Sequence, residues 1–205
     1  MEPAQNIGNY FRYALDGGGS LSNDRPGLDR GIKHHSHSNA SVQLTTQANG
    51  AGPGTPWNFR FLKYWSGAIT RCGIGNGVLT GPFTGCFVCR FTNVGGVSVA
   101  HVGTADSPTE PKTVAVKTDW TAYKTSKQNG NFVGRKPTDV ITDLDVSAEI
   151  MNAMPTNPQK WGVWAFIRQQ DAWALLIHEG NNNVNQIIRA RPMVLLPWAS
   201  APGSW

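Results

Sequence analysis

Cys86 and His101 are the residues of this sequence whose types and spacing best suit covalent chemistry. A thiol with a pKa of about 8.5 is mostly protonated at neutral pH, and the thiolate is the nucleophile. An imidazole held beside it stabilises the thiolate, protonates a leaving amine and then activates water. Such a pair is expected to raise the pKa of His101 and lower that of the thiol, because each ion favours the other. Gly85, directly before Cys86, lets a substrate come close to the backbone, and the Cys86 N–H is a candidate oxyanion donor.

Spacing decides whether the two groups can meet. Cys86 to Thr92 and Val97 to Val102 read as strands, joined by the turn residues Asn93-Val94-Gly95-Gly96. With a two- or four-residue loop, Thr92 faces Val97 and Val88 faces His101. Cys86 and His101 then share one face as diagonal neighbours, about 7–8 Å apart at the backbone, within reach of a ring side chain. A three-residue loop would put them on opposite faces. The other face carries Phe87, Cys89, Phe91, Ala100 and Val102, which is a core pattern. Cys72 and Cys89 are therefore not expected to be the reactive thiols.

The local sequence carries more than a pair. Leu79-Thr80-Gly81-Pro82-Phe83-Thr84-Gly85-Cys86, followed by Val99-Ala100-His101-Val102-Gly103-Thr104, resembles the catalytic core of the cytotoxic necrotizing factor family. The resemblance extends to Burkholderia lethal factor and to the CheD-like chemoreceptor glutamine deamidases, and covers about residues 79–104. It implies a β-sandwich-like core, Cys86 as nucleophile and His101 as acid–base group. In the two smaller relatives a Thr six residues before the cysteine completes the triad, which implies that role for Thr80. The toxins orient their histidine through a backbone carbonyl instead, so both arrangements stay open. Thr84 stands where the toxins carry Ser, and Thr84 with Gly85 would line the substrate and oxyanion side.

The implied activity is deamidation of a specific glutamine on a protein, possible targets being a host GTPase or a translation factor, with transglutamination as a side reaction. The implied setting is a bacterial toxin or effector exported without a cleaved signal and acting in the cytosol of a target cell. Two other classes stand beside this one. One is a cysteine peptidase or amidase using the same dyad; the other is a non-catalytic β-sandwich binding module.

The rest of the chain must position these residues. Its 205 residues suit one folded domain. Hydrophobic residues are 40% and charged residues 15%, with 23 Gly and 13 Pro, so turns are frequent and strands are favoured over long helices. Strands are expected at Trp57 to Trp65, Thr113 to Asp119, Trp161 to Arg168, Trp173 to His178 and Gln186 to Leu196. Gly180-Asn181-Asn182-Asn183 turns the chain between the last two. Val140 to Met154 has helical apolar spacing, closed by Pro155. The fold class is thus α+β, mainly β: a sandwich-like core with one or two covering helices. Residues 1–55, rich in Gly, Ser, Asn and Gln, read as a flexible segment with few fixed contacts and room for a short ordered piece around Tyr10 to Leu15, and residues 56–205 as the catalytic domain.

Composition also excludes some partners and cofactors. The net charge of +5 comes from scattered Lys and Arg rather than a patch, which argues against nucleic acid as a partner. No apolar run approaches the roughly 20 residues of a membrane span. Three cysteines form neither a disulfide framework nor a zinc set, and the polar-loop histidines His34, His35 and His37 do not define a metal site. No cofactor or metal is expected, and the protein reads as a monomer.

Overall fold

In the computed structural model the residues described are 2–12, 32–34, 38–50, 52–83, 86–93, 96–105, 107–126, 138–141, 161–181 and 184–193. Among them the chain runs β1 (Tyr10–Arg12), β2 (Ile32–His34), β3 (Ser38–Leu44), β4 (Thr55–Lys63), β5 (Ile69–Gly73), β6 (Val78–Gly81), β7 (Phe87–Asn93), β8 (Gly96–Val102), α1 (Pro111–Ser126), β9 (Thr138–Ile141), β10 (Trp161–Ile167), β11 (Ala172–Glu179) and β12 (Val184–Met193). The fold is mainly β, as the punctuation of the sequence implies.

The strands form two sheets. A seven-stranded sheet has the order β1-β12-β11-β10-β6-β4-β3, and a five-stranded sheet the order β2-β5-β8-β7-β9. The larger sheet curls until its two edges meet: the Tyr10 N–H donates to the Thr45 carbonyl at 2.7 Å, and the Thr45 N–H to that of Tyr10 at 2.9 Å. Its concave side holds an aromatic core built on Phe11, Trp57, Phe59, Phe61, Trp164 and Phe166. Alternation sends the neighbouring residues outward. Leu62, Val78, Ala165 and Ile167 thus pack against Cys72, Val88 and Val99 of the smaller sheet. The far side of that sheet is covered by α1 through Ile69, Cys89, Ala100, Val102, Val116 and Trp120. The layers are helix, small sheet, curled sheet.

Three expectations need correction. The described parts of residues 1–55 are not loosely attached. β1 pairs with β12, β3 with β4 and β2 with β5, and Phe11, Val42 and Leu44 are buried. The segment has few apolar residues, but they sit where the curled sheet needs them. Burying a side chain such as Phe11 contributes roughly 1.5–3 kcal/mol.

Thr113 to Asp119 is helix rather than strand. The run Thr113, Val114, Val116 and Thr118 is rich in β-branched residues, which suits a strand. Yet Pro111 opens the helix, a position where its missing N–H costs nothing. The buried residues are Thr113, Val116 and Trp120, at helical spacing. The hydroxyls of Thr118 and Thr121 donate to the carbonyls four residues back, both at 2.9 Å. The helix expected from Val140 fails at its first two residues, which belong to β9 and pair with β7. Its remainder, 142–154, lies outside the described residues.

Candidate active site

The β7–β8 hairpin has the expected register. Thr92 pairs with Val97, Val88 with His101, and Asn93 with Gly96. His101 occupies the centre of the small sheet, flanked by Val88 on β7 and Thr70 on β5. Its side chain faces the curled sheet. Thr80, on β6, faces back across the gap from between Leu62 of β4 and Ala165 of β10.

The two side chains meet: Thr80 Oγ1 lies 2.7 Å from His101 Nδ1. The same hydroxyl donates to the Leu62 carbonyl at 2.8 Å. A hydroxyl has one proton and a carbonyl can only accept. Thr80 therefore gives its proton to Leu62 and accepts from Nδ1–H. This fixes the tautomer and leaves Nε2 as an unprotonated acceptor, buried and with no hydrogen-bond partner. Phe83 stacks on the ring at 4.6 Å and 18°, and Tyr64 packs against it at 5.5 Å.

Burial sets the charge of this ring. His101 is wholly enclosed, and desolvation pushes its pKa down to about 3. The expected imidazolium–thiolate ion pair, with a raised histidine pKa, is therefore not the arrangement held here. Burial favours the neutral imidazole, because loss of hydration is not offset by a hydrogen bond at Nε2.

Cys86 stands one residue before β7, on the same face as Val88, and is 2% exposed. It packs in the cluster that contains Phe83, so one phenyl ring joins its surroundings to those of His101. Its sulfur is held by Thr104: the backbone N–H points to Sγ at 3.4 Å and Oγ1 lies at 3.5 Å. Thr104 follows β8 in a loop that is tightly pinned. The Tyr64 hydroxyl donates to the Thr104 carbonyl at 2.5 Å, and the Ala105 N–H donates to Thr113 Oγ1 of α1 at 2.9 Å. Gly103 exchanges hydrogen bonds with Gly67 and Ala68 at 2.8 and 2.9 Å. A Cβ on Gly103 would lie 2.1 Å from the Trp65 carbonyl, so only glycine fits there.

The structure thus joins Thr80 to His101 and places Cys86 on their face of the small sheet. Thr84 and Gly85 lie outside the described residues, as do His35 and His37. Cys89 lies on the opposite face, under α1. Cys72 is buried between the sheets, and loss of hydration pushes its thiol up to about 12, with Arg60 opposing the rise. None of the three cysteines is in a disulfide. Tyr64 and Thr104 were not singled out by sequence reasoning. The one signal for them was that Thr104 closes the His-Val-Gly-Thr run and Gly103 precedes it. Among the described residues no His, Cys, Asp and Glu side chains group into a metal site, and no helix is long and apolar enough to cross a membrane. Compared with family models, curated proteins and solved structures, the chain finds no match.

Proposed function

We propose that the protein is a thiol-dependent amidohydrolase that deamidates a glutamine side chain on a protein target. The observation that carries this reading is the 2.7 Å contact between Thr80 and His101 Nδ1. A threonine six residues before the cysteine would orient the histidine in a Cys–His–Thr triad, and Thr80 occupies that position. A side chain rather than a backbone carbonyl holds the ring.

The unprotonated Nε2 is free to accept a proton, and its basicity rises once substrate and water enter and relieve the burial that depresses it. Nε2 takes the Sγ proton of Cys86, and the thiolate adds to the carboxamide carbon. The C–N bond breaks as the imidazolium returns a proton to the departing ammonia, leaving a thioester on Sγ. Water, deprotonated by Nε2, attacks the thioester, and the sulfur leaves and is reprotonated. The product is glutamate; an amine in place of water gives a crosslink. Sγ and Nε2 are not hydrogen-bonded to each other here, so the cycle includes a step that brings them within hydrogen-bond reach. One new negative charge on the target suits a bacterial effector that switches a cytosolic protein.

The burial of both groups favours a second reading, a β-sandwich binding module in which the cluster only supports the core. One experiment separates the two. Wild type and Cys86→Ala are incubated with a lysate of candidate target cells. Free ammonia is measured, and peptides are mapped for a gain of about one dalton at glutamine. The deamidase reading expects ammonia and Gln-to-Glu conversion with wild type alone and uncut backbones. Cleaved peptide bonds point to a peptidase; identical maps for the two proteins leave the binding module.

A further inference from the structure

Thr104 is the residue whose position the triad does not explain. It lies beyond the hairpin, yet its N–H and its hydroxyl converge on the Cys86 sulfur, the N–H at 3.4 Å and Oγ1 at 3.5 Å. Thr104 is itself buried, 3% exposed. A neutral thiol needs no such pair of donors, since sulfur is a weak acceptor. A thiolate does, because its charge in a dry site must be met by hydrogen bonds.

We propose that Thr104 is a further catalytic residue that stabilises the Cys86 thiolate through its backbone N–H and its hydroxyl, with Tyr64 as the positioning residue that aims it. This deepens the reading of Cys86 as a nucleophile and rests on it. The thiolate forms only as Nε2 takes the Sγ proton, and dipoles already aimed at the sulfur meet that charge as it appears. When Nε2 removes the Sγ proton, Oγ1–H turns to donate to the new anion beside the fixed N–H. When the thioester forms, the charge leaves sulfur and the hydroxyl is released. No proton passes through Thr104.

The aim of that N–H is set from three sides. The Tyr64 hydroxyl grips the carbonyl of Thr104 itself, Thr113 Oγ1 grips the next N–H, and the Gly67–Gly103–Ala68 hydrogen bonds hold the residue before it. Tyr64 also packs on the His101 ring. One side chain therefore touches the base through its ring and positions the sulfur's donors through its hydroxyl.

The test is the pH profile of Cys86 alkylation by iodoacetamide, read by peptide mapping on the full chain. Thr104→Val, Thr104→Ser and Tyr64→Phe are compared with wild type, alongside thermal melts. Thr104→Val should lower the rate at pH 7 about tenfold and move the profile to higher pH, the scale of one hydrogen bond to a charged group. Thr104→Ser should restore it. Tyr64→Phe removes one oxygen from a half-buried ring and should shift the profile the same way by a smaller amount, with the fold kept. Should Thr104→Val fail to fold, Tyr64→Phe decides alone. Folded variants that alkylate with the wild-type profile overturn the proposal. Ammonia release is scored separately: a Thr104-dependent profile without ammonia keeps the thiolate site and removes the amidase.

Discussion

The two faces of the β7–β8 hairpin are built from adjacent residues and have opposite chemistry. On one, Cys89, Ala100 and Val102 pack with Val116 and Trp120 of α1. The hydrogen bond described for the Cys89 thiol there runs to the carbonyl of the next residue, at 3.9 Å. On the other, Cys86 meets the N–H and the hydroxyl of Thr104, and His101 meets Thr80. Both faces are buried and both carry a cysteine. The difference is that on the second face side chains of separate elements, costly to bury alone, are brought together as polar pairs. Burial therefore does not distinguish a core cysteine from a candidate nucleophile; its hydrogen-bond partners do.

The largest effect expected from breaking this contrast is at the base. His101→Ala removes the acceptor and should cost roughly 10²–10⁴ in deamidation rate, the usual worth of an acid–base group. Ala100→Gly, its neighbour on the other face, should change the rate little. Equal losses would show that both act through the fold. Turnover on an identified substrate checks this.

Next in size is thiol selectivity. Limited alkylation of the folded protein at neutral pH should label Cys86 before Cys89 and Cys72. For Cys72, a pKa of about 12 leaves a thiolate fraction about 10³-fold below that of an ordinary thiol. Even labelling of all three, read by mass spectrometry, would erase the contrast between the faces.

A third effect is on stability. The folded pKa of His101 is depressed from 6.5 to about 3. As pH falls below 6.5 the unfolded chain gains a proton here that the folded protein refuses. The contribution of this group is thus complete above pH 6.5 and is lost progressively toward pH 3, at up to about 1.4 kcal/mol per pH unit. Denaturant melts across that window should show a shallower pH slope in His101→Gln than in wild type. Parallel slopes would mean the ring is hydrated in the folded state.

The contrast between the faces was legible in sequence because strand alternation and hairpin register are local rules. Cys86, His101 and Cys89 fell on the expected faces from turn chemistry alone. Thr80 needed a resemblance, since nothing in its spacing says that β6 crosses above β8. Thr104 and Tyr64 were illegible because a loop N–H and a hydroxyl find their partners only once Gly103 has brought the loop against the Trp65 carbonyl. The neutral state of His101 was missed for a related reason. Spacing shows which groups are near one another, but the cost of excluding water depends on the whole curled sheet above them. β3 is hidden from a compositional reading because composition averages over a long segment, whereas a strand needs only one or two apolar residues in register; β1 falls within the short ordered piece expected around Tyr10 to Leu15. α1 was misread because β-branched residues suggest strand until their burial is seen at helical spacing.

The pairing of Tyr10 with Gln186 and of Tyr10 with Thr45 has a consequence for synthesis. β1 leaves the ribosome well before β12, its principal partner. Until then the edge of β3 and the aromatic interior of the large sheet have no closing strand. Such long-range pairing slows folding and lengthens the exposure of sticky intermediates. Once formed, the Tyr10–Thr45 bridge pairs edge groups that would otherwise be open to other chains. The nascent protein should accordingly depend on chaperones more than its size suggests, while the finished one should resist aggregation.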